Sequence, residues 1–232
     1  MSDPVLAIHG GAGAISRTAL TPDVAKDYEE NLRRIATSAY AALAGGASAL
    51  EAVTLAVVML EDCPLFNAGR GAVYTSKATH EMDAAVMDGR TLAAGAVTCV
   101  HGVKNPVLAA RAVMERSGHV LLAGEGGMEF LRGLGVVFEP EEYFHSEQRY
   151  AQLLAARAKD PLGMALDEAA GFAQGQTAPD MKGKMGTVGA VARDAGKALA
   201  AATSTGGLTN KLPGRVGDTP IIGAGCYADA VA

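Results

Sequence analysis

The sequence has no tryptophan, few aromatic residues and only three cysteines among its 232 residues. Cys63, Cys99 and Cys226 are odd in number and lack the spacing of zinc ligands, which argues against secretion and favours a reducing compartment. The formal net charge of −5 offers no basic surface for nucleic acid. The longest apolar run, at 52–60, is too short to cross a bilayer, and the N-terminus lacks the features of a signal peptide. We therefore expect a soluble, cytoplasmic chain that binds neither nucleic acid nor membranes.

Several catalytic motifs are missing as well. The histidines never occur as H-E-x-x-H, which argues against a zinc hydrolase. HGGAG at 9–13 is compatible with an anion-binding nest or an oxyanion loop, but no G-x-S-x-G accompanies it. The phosphate-binding pattern G-x-x-x-x-G-K-[ST] is absent too. A serine esterase and a P-loop nucleotide site are therefore not predicted.

Glycine is abundant instead, with 29 residues that cluster between apolar segments. Glycine serves where the backbone needs a positive φ or must approach another group closely. Repeated clusters therefore predict a site built partly from main chain. The hydrophobic content of 49% and charged content of 19% predict a packed core around it.

Hydrophobic periodicity and helix-boundary residues predict helices and strands before a weakly patterned linker, and a strand pair after it. Pro22 and Asp23 open one helix, and Ser48 with Glu51 forms a capping box for the next. The predicted elements are a buried strand at 4–9, helices at 22–44, 48–60, 105–117 and 149–156, a strand meander within 71–103, a linker over 157–184 with a possible helical piece near 164–173, and strands at 187–193 and 198–205.

The last two strands flank the short turn DAGK and predict a hairpin. In an antiparallel hairpin the numbers of paired residues have a constant sum, here about 390–392. Thr187 then lies opposite the hydroxyl-bearing run of residues 203–205. Two interpretations of Thr187 remain open at this point: an ordinary β-branched residue that opens an apolar, fully buried strand, or a catalytic N-terminus released by cleavage after Gly186.

Cleavage between Gly186 and Thr187 would supply the chemistry that a threonine hydroxyl lacks by itself. A free α-amine has a pKa of about 7.7–8.0 and can take the proton of its own hydroxyl. An amide nitrogen cannot, because its lone pair is delocalised into the carbonyl. Gly186 tolerates a strained backbone and leaves its carbonyl accessible to the Thr187 oxygen.

The glycine-rich loop LPGRVGD at 212–218 carries a candidate substrate-binding pair. Arg215 can bind a carboxylate through two parallel hydrogen bonds, and Asp218 can accept an ammonium group. Together they match the head group of a zwitterionic amino acid. The alternative for the same two residues is a surface ion pair.

Six stretches carry a family resemblance: AIHGGAGA, LEDCPLFNAGRGAV, MDAAVMDG, NPVLAARAVME, MGTVGAVA and AAATSTGGLTNKLPGRVGDTPIIGAGCYA. The sequence resembles the plant-type asparaginase / isoaspartyl peptidase family of N-terminal-nucleophile hydrolases over nearly its whole length, most weakly in the linker. The resemblance implies an α+β fold, a four-layer αββα sandwich in a single domain of residues 1–232. It also implies an α-chain core at 1–156, a linker at 157–186 that ends at the cleavage site, and a β chain that starts at Thr187.

The resemblance also implies roles for individual residues. Thr187 would be the nucleophile, Thr205 the neighbouring hydroxyl, and Asn67 a residue beside them. Arg215 would bind the substrate α-carboxylate and Asp218 the α-ammonium, with Val216 and Gly217 in the same loop. No cofactor is implied for catalysis. A structural sodium ion is implied, held by the carbonyls of Leu60, Glu61, Cys63, Phe66, Ala68 and Arg70.

The activity implied is hydrolysis of L-asparagine and of β-aspartyl peptides by a dimer of cleaved αβ units. A glycosylasparaginase-like or endoprotease-like member, or an uncleaved and inactive fragment that acts only as a folded module, stays open as an alternative. The family pattern continues beyond GAGCYADAVA into a segment that supplies oxyanion donors. We accordingly expect the 232-residue form alone to be inactive, with unpaired sheet edges around 198–205 and 221–232.

Overall fold

A computed structural model describes residues 3–11, 21–161 and 186–230 of the chain. Its described part holds one six-stranded sheet with the strand order β1-β5-β6-β2-β3-β4. All pairs are antiparallel except β3 with β4. The elements are β1 (Val5–His9), α1 (Pro22–Ala44), α2 (Ala49–Glu61), β2 (Met82–Asp88), β3 (Ala94–Val100), α3 (Pro106–Arg116), β4 (Leu121–Ala123), α4 (Gly124–Gly133), α5 (Glu141–Phe144), α6 (Glu147–Lys159), β5 (Val188–Arg193) and β6 (Leu199–Thr205).

The predicted helix boundaries are confirmed where capping residues mark them. The Ser48 side chain accepts from the backbone N–H of Glu51, whose carboxylate accepts from the backbone N–H of Ser48 in return. Thr21 caps α1 through the N–H of Val24, and Pro106 occupies the first turn of α3. These contacts satisfy donors that a helix N-terminus leaves free, so a few local residues determine where each helix begins.

Helices α1, α2 and α3 pack on one face of the sheet and form the main core. On β5 and β6 the even-numbered side chains point to this face, and Val188, Ala190 and Ala202 are buried there. Gly95 lets α3 approach β3 closely, since a Cβ at this position would overlap the carbonyl of Ala110. The result is an α+β architecture with small residues where helix and sheet meet.

The second face of the sheet carries the odd-numbered residues of β5 and β6. A smaller apolar cluster lies there, in which Ala85, Met87 and Ala201 pack against Cys226 and Ala228 of the C-terminal segment. That segment, residues 218–230, therefore crosses the second face. The candidate catalytic residues lie on this face, away from the helices.

The prediction that 4–9 and 187–193 are fully buried strands is wrong for the described residues. Val5 is 51% exposed and Val191 is 53% exposed. β1 forms an edge of the sheet, and the described part of the chain leaves this end of the second face open. The predicted edge at 198–205 is also wrong, because β6 pairs with β5 on one side and with β2 on the other.

Other differences concern the lengths of the predicted elements and the elements that were not predicted. The predicted meander is a single hairpin of β2 and β3, and the preceding residues form turns. The strand β4 and the helices α4 and α5 were not predicted, and the glycine cluster GEGG at 124–127 forms the start of α4. Helix α6 runs to Lys159, so residues 157–159 are helical instead of linker. The proposed helical piece near 164–173 lies outside the described residues. Among the helices that are described, none has the length and apolarity needed to cross a membrane.

Candidate active site

The β5–β6 hairpin sets the position of Thr187. Val188 pairs with Ser204, so paired residue numbers sum to 392, within the predicted range. Continuing this register places Thr187 beside Thr205 at the end of the hairpin. Thr205 itself pairs with Asp83 of β2 on its other side. Three neighbouring strand ends therefore meet where the sequence predicted a catalytic N-terminus.

The Thr187 hydroxyl contacts another threonine hydroxyl on the second face of the sheet. Thr187 Oγ1 lies 2.9 Å from Thr219 Oγ1. Thr205 Oγ1, at the paired position, accepts a hydrogen bond from the backbone N–H of Gly207 at 3.0 Å. Thr203, Thr205 and Thr219 are all buried. The candidate nucleophile therefore faces a hydroxyl-rich and largely enclosed environment.

The glycine turn after β1 packs against the bond that is predicted to be cut. Gly11 has a φ of +126°, which favours glycine, and a Cβ there would lie 2.9 Å from the carbonyl oxygen of Gly186. The His9 ring forms a hydrogen bond with the Thr187 backbone. Although His9 is an exposed residue, desolvation of its ring lowers its pKa, and that hydrogen bond opposes the shift. The turn thus contacts both residues of the Gly186–Thr187 peptide.

Asn67 joins the loop after α2 to the loop after β6. Its side chain is fully buried, with Oδ1 accepting from the Val73 N–H at 3.0 Å and Nδ2 donating to the Gly207 carbonyl at 2.8 Å. Its backbone carbonyl accepts from the Gly206 N–H at 3.0 Å. A Cβ at Gly206 would lie 2.5 Å from Asn67 Oδ1, so this approach requires glycine. Asn67 therefore positions the chain that follows Thr205.

The loop with the predicted substrate-binding residues leaves the sheet just beyond Thr205. The Arg215 guanidinium folds back over Gly217, whose missing Cβ would lie 3.0 Å from Arg215 Nη1. Asp218 is exposed, and its carbonyl accepts from the Ile221 N–H at 2.9 Å. Gly217 is therefore the residue that leaves room for the arginine. The side chain of Val216 is 41% exposed.

A buried lysine anchors this loop to Glu81, the residue before β2. Lys211 Nζ donates to the Glu81 carbonyl at 2.7 Å, and the Gly214 N–H donates to the Glu81 carboxylate at 2.7 Å. Burial lowers the pKa of Lys211, and the nearby Asp83 opposes that shift. Asp83 accepts from the Thr98 hydroxyl at 2.6 Å and from the Cys99 N–H at 3.0 Å. The base of the loop is therefore held by charged and polar groups beside Thr205.

The predicted sodium loop comprises Leu60 and Glu61, the last two residues of α2, and four residues of the tight turns that follow. The carbonyls of Cys63, Phe66 and Ala68 each accept one backbone N–H, at 2.9–3.3 Å, and the Leu60 carbonyl accepts from the N–H groups of Asp62 and Cys63. A carbonyl oxygen has two lone pairs, so those of Cys63, Phe66 and Ala68 each keep one for another partner. The buried guanidinium of Arg149 donates to the neighbouring carbonyls of Gly71 and Leu65. The donor set is therefore compatible with a hard cation.

The Glu61 side chain points from this loop into the core instead. Its Oε1 accepts from the Val107 N–H at 2.9 Å, and burial raises the pKa of the carboxyl to about 8. The side chain is fully buried, so a neutral carboxylic acid is the favoured form at neutral pH. Only its backbone carbonyl belongs to the predicted cation loop.

Comparison with known proteins gives the same family as the motifs. The family model described as "Asparaginase" matches residues 2–232. The chain is 56% identical to the isoaspartyl peptidase of Salmonella typhimurium over 99% of its own length and 71% of the relative's length. It is 54% identical to the isoaspartyl peptidase of Escherichia coli, over 99% of its own length and 69% of the relative's length. It is 42% identical to the human isoaspartyl peptidase/L-asparaginase, over 98% of its own length and 68% of the relative's length. The chain belongs to the asparaginase family.

For this asparaginase-family chain, the structure brings several predicted site residues together. Gly186, Thr187 and Thr205 lie at one end of the hairpin, and Asn67 contacts the two glycines after Thr205. The Arg215–Asp218 loop reaches the same place through Thr219, the residue after Asp218. Residues 60–70 lie elsewhere, at the end of α2 and in the loop that follows it. Their roles stay predictions, while their positions are observed.

Sequence reasoning missed three residues of this family member's candidate site: His9, Lys211 and Thr219. Each is far in sequence from the group that it contacts, and the motifs that contain these residues gave no role to the three side chains. The available signal for Thr219 was its place directly after Asp218 in GRVGDTP. A threonine beside an aspartate in a glycine-rich loop also reads as an ordinary turn residue, so this signal by itself decides nothing.

Proposed function

We propose that this member of the asparaginase family hydrolyses the side-chain amide of L-asparagine and the isopeptide bond of β-aspartyl dipeptides and releases L-aspartate. The observation that carries the proposal is the Thr187 hydroxyl, hydrogen-bonded at 2.9 Å to Thr219, beside Gly186 and next to the Arg215–Asp218 loop. The names of the relatives, isoaspartyl peptidase and isoaspartyl peptidase/L-asparaginase, support the same activity.

Activation begins with the chain's own peptide bond. Thr187 Oγ attacks the carbonyl carbon of Gly186, the C–N bond breaks, and the hydroxyl proton ends on the nitrogen. The resulting ester is hydrolysed by water, which leaves a carboxylate on Gly186 and a free α-amine on Thr187. Gly11, packed against Gly186, limits the conformations of this carbonyl during attack. Cleavage thus creates the base that the nucleophile needs.

Substrate hydrolysis then uses the same oxygen. The α-amine takes the proton of Thr187 Oγ, which attacks the side-chain carbonyl carbon of the aspartyl group. The leaving nitrogen takes this proton and departs as ammonia or as the amine of a peptide. Water hydrolyses the aspartyl ester and regenerates the hydroxyl. One active site can therefore serve both substrates, which differ only in the leaving amine.

Recognition follows from the part that the two substrates share. L-asparagine and β-aspartyl peptides both present a free α-carboxylate and a free α-ammonium on the aspartyl residue. The Arg215 guanidinium supplies two parallel donors for the carboxylate, and the exposed Asp218 carboxylate pairs with the ammonium. An α-aspartyl peptide lacks the free carboxylate at that position, so it is expected to be rejected.

A substrate panel tests the proposed function in the full-length protein. Aspartate release is measured with L-asparagine, β-aspartyl-leucine, α-aspartyl-leucine and a glycosylated asparagine. Turnover of the first two with none of the α-linked dipeptide supports the proposal. Turnover of the glycosylated substrate alone would establish the glycosylasparaginase-like alternative, and no turnover of any member by cleaved protein would refute an amidohydrolase.

The same assay has a predicted pH dependence. The free α-amine of Thr187 must be neutral to act as a base, and such amines have a pKa of about 7.7–8.0. Because protonation removes the base, kcat/KM for L-asparagine is expected to fall by about tenfold per pH unit below that range. The measurement is an initial-rate series from pH 5 to pH 9 at constant ionic strength. A flat profile would exclude the amine as the base.

A sodium ion in the Leu60–Arg70 loop is part of the proposal. The carbonyls that keep a free lone pair support it, since such oxygens bind hard monovalent cations. Binding to the folded state alone would raise the melting temperature with sodium concentration. We expect a higher Tm in sodium chloride than in choline chloride of equal ionic strength. Identical melting curves in the two salts would refute the proposed sodium site.

Three further statements belong to the proposal as predictions from the family resemblance. They are a complete four-layer αββα sandwich, a dimer of cleaved αβ units, and a cytoplasmic location. The exposed apolar side chains Val5 and Val191 support a further layer on the second face of the sheet. The three free cysteines, at 63, 99 and 226, support a reducing compartment.

A further inference from the structure

Thr219 holds the oxygen of the candidate nucleophile. The two Oγ1 atoms of Thr187 and Thr219 lie 2.9 Å apart, within hydrogen-bond distance, and either can donate. Thr219 is 1% exposed, so bulk water cannot readily replace this hydrogen bond. A buried hydroxyl directed at the reacting oxygen is more than a packing contact.

The main chain around Thr219 is itself fixed. The Thr203 hydroxyl donates to the Thr219 carbonyl at 3.2 Å, which ties the residue to β6. The Asp218 carbonyl accepts from the Ile221 N–H at 2.9 Å, which closes a turn across Thr219 and Pro220, and the proline ring limits the backbone conformations open to Thr219. Gly225 packs on the same backbone, since a Cβ there would lie 2.6 Å from Thr219 Cα. These constraints hold the Thr219 hydroxyl at one place relative to the hairpin.

A fixed partner matters because threonine is β-branched. Rotation about χ1 exchanges the Thr187 hydroxyl with its methyl group among three staggered positions. Only a rotamer that directs the oxygen towards the attacked carbonyl is productive. The hydrogen bond to Thr219 selects the rotamer that the structure shows, and alignment of a reacting atom is a recognised source of rate.

We propose that Thr219 is the hydroxyl that orients the Thr187 nucleophile, both for cleavage at Gly186 and for hydrolysis of substrate. During self-cleavage the α-nitrogen is still an amide and is not a base, so Thr219 acts there without help from it. The inference rests on the proposed function and adds a residue to it. It also assigns different tasks to consecutive residues: the exposed Asp218 meets the substrate ammonium, and the buried Thr219 meets the nucleophile.

Three substitutions in the full-length protein test this role. Thr219→Val keeps the size and shape of the side chain and removes the hydroxyl, whereas Thr219→Ser keeps the hydroxyl and removes the methyl group. We expect Thr219→Val to slow cleavage at Gly186 and to lower kcat for L-asparagine by about tenfold each, with KM changed less than twofold. Thr219→Ser is expected to stay within about threefold of the wild type. Thr54→Val, which removes a buried threonine hydroxyl from α2, is the matched control and should leave both rates unchanged.

The comparison of the serine variant with the valine variant shows whether the hydroxyl of Thr219 or only its packing affects the rates. Unchanged rates in Thr219→Val would overturn the proposal. Equal losses in Thr219→Ser and Thr219→Val would overturn it too, because they would show that Thr219 acts through its packing and not through its hydroxyl. If Thr219→Val does not fold, Thr219→Ala takes its place, and equal rates in the alanine and serine variants would overturn the proposal equally. Failure of the wild type to cleave or to release aspartate would count against the proposed function instead, since every variant is measured relative to it.

Discussion

Replacement of Thr187 by alanine is expected to leave a single uncut chain that releases no measurable aspartate from L-asparagine. The substitution removes the oxygen that attacks Gly186, so the α-amine is never freed. It also removes the nucleophile for substrate, and loss of a catalytic nucleophile lowers kcat by about 10⁴-fold or more. Intact-mass measurement and N-terminal sequencing after incubation give the outcome directly. The wild type should yield two pieces, the second starting with Thr187.

Two matched variants separate this loss from damage to the fold. Thr187→Ser keeps a hydroxyl at the same position and is expected to cut itself and to retain activity. Thr54→Ala removes a threonine from α2, where its hydroxyl bonds to the Leu50 carbonyl, and is expected to cut like the wild type. A wild-type chain that is active without being cut would refute the mechanism, as would cleavage of Thr187→Ala at the same bond.

Replacement of Arg215 by lysine is expected to raise KM for L-asparagine by roughly 10- to 150-fold. Lysine keeps the positive charge but offers a single ammonium in place of two parallel donors. Loss of a charge-assisted hydrogen bond costs about 1.5–3 kcal/mol, which corresponds to that range. The same loss is expected for β-aspartyl-leucine, because both substrates present the same α-carboxylate. Steady-state kinetics on both substrates measures it.

The control for this prediction is Arg116→Lys, at the exposed end of α3. It makes the same chemical change away from the loop and is expected to leave KM unchanged. Cleavage at Gly186 should proceed in Arg215→Lys, since the guanidinium acts on substrate rather than on the scissile peptide. An unchanged KM in cleaved Arg215→Lys would mean that the arginine is only a surface charge, the alternative that the sequence left open.

Much of the fold was predictable because its signals are local. The capping box at Ser48 and Glu51 and the proline at the start of α3 act within one helical turn, so a few adjacent residues carry the information. The register of the β5–β6 hairpin followed from a four-residue turn and placed Thr187 beside Thr205. Ordered motifs over nearly the whole chain identified the family, which the family model and the relatives confirm.

The errors concern properties that depend on distant parts of the chain. An alternating or continuous apolar strand does not reveal whether it lies at an edge or which of its faces is covered, and Val5 and Val191 are exposed for that reason. The strand β4 has three residues, too few for periodicity to show. GEGG reads as a loop from composition, yet it begins α4.

The sequence by itself determined the starts of α1, α2 and α3, the hairpin register, the family and the residue types of the proposed chemistry. Only the tertiary structure decided that Thr219 meets Thr187 across a separation of 32 residues, and that His9 and Gly11 lie against the bond after Gly186. Periodicity and capping describe contacts within a few residues along the chain. A contact between distant residues depends instead on which segments cross the same face of the sheet, and packing of the whole domain sets that.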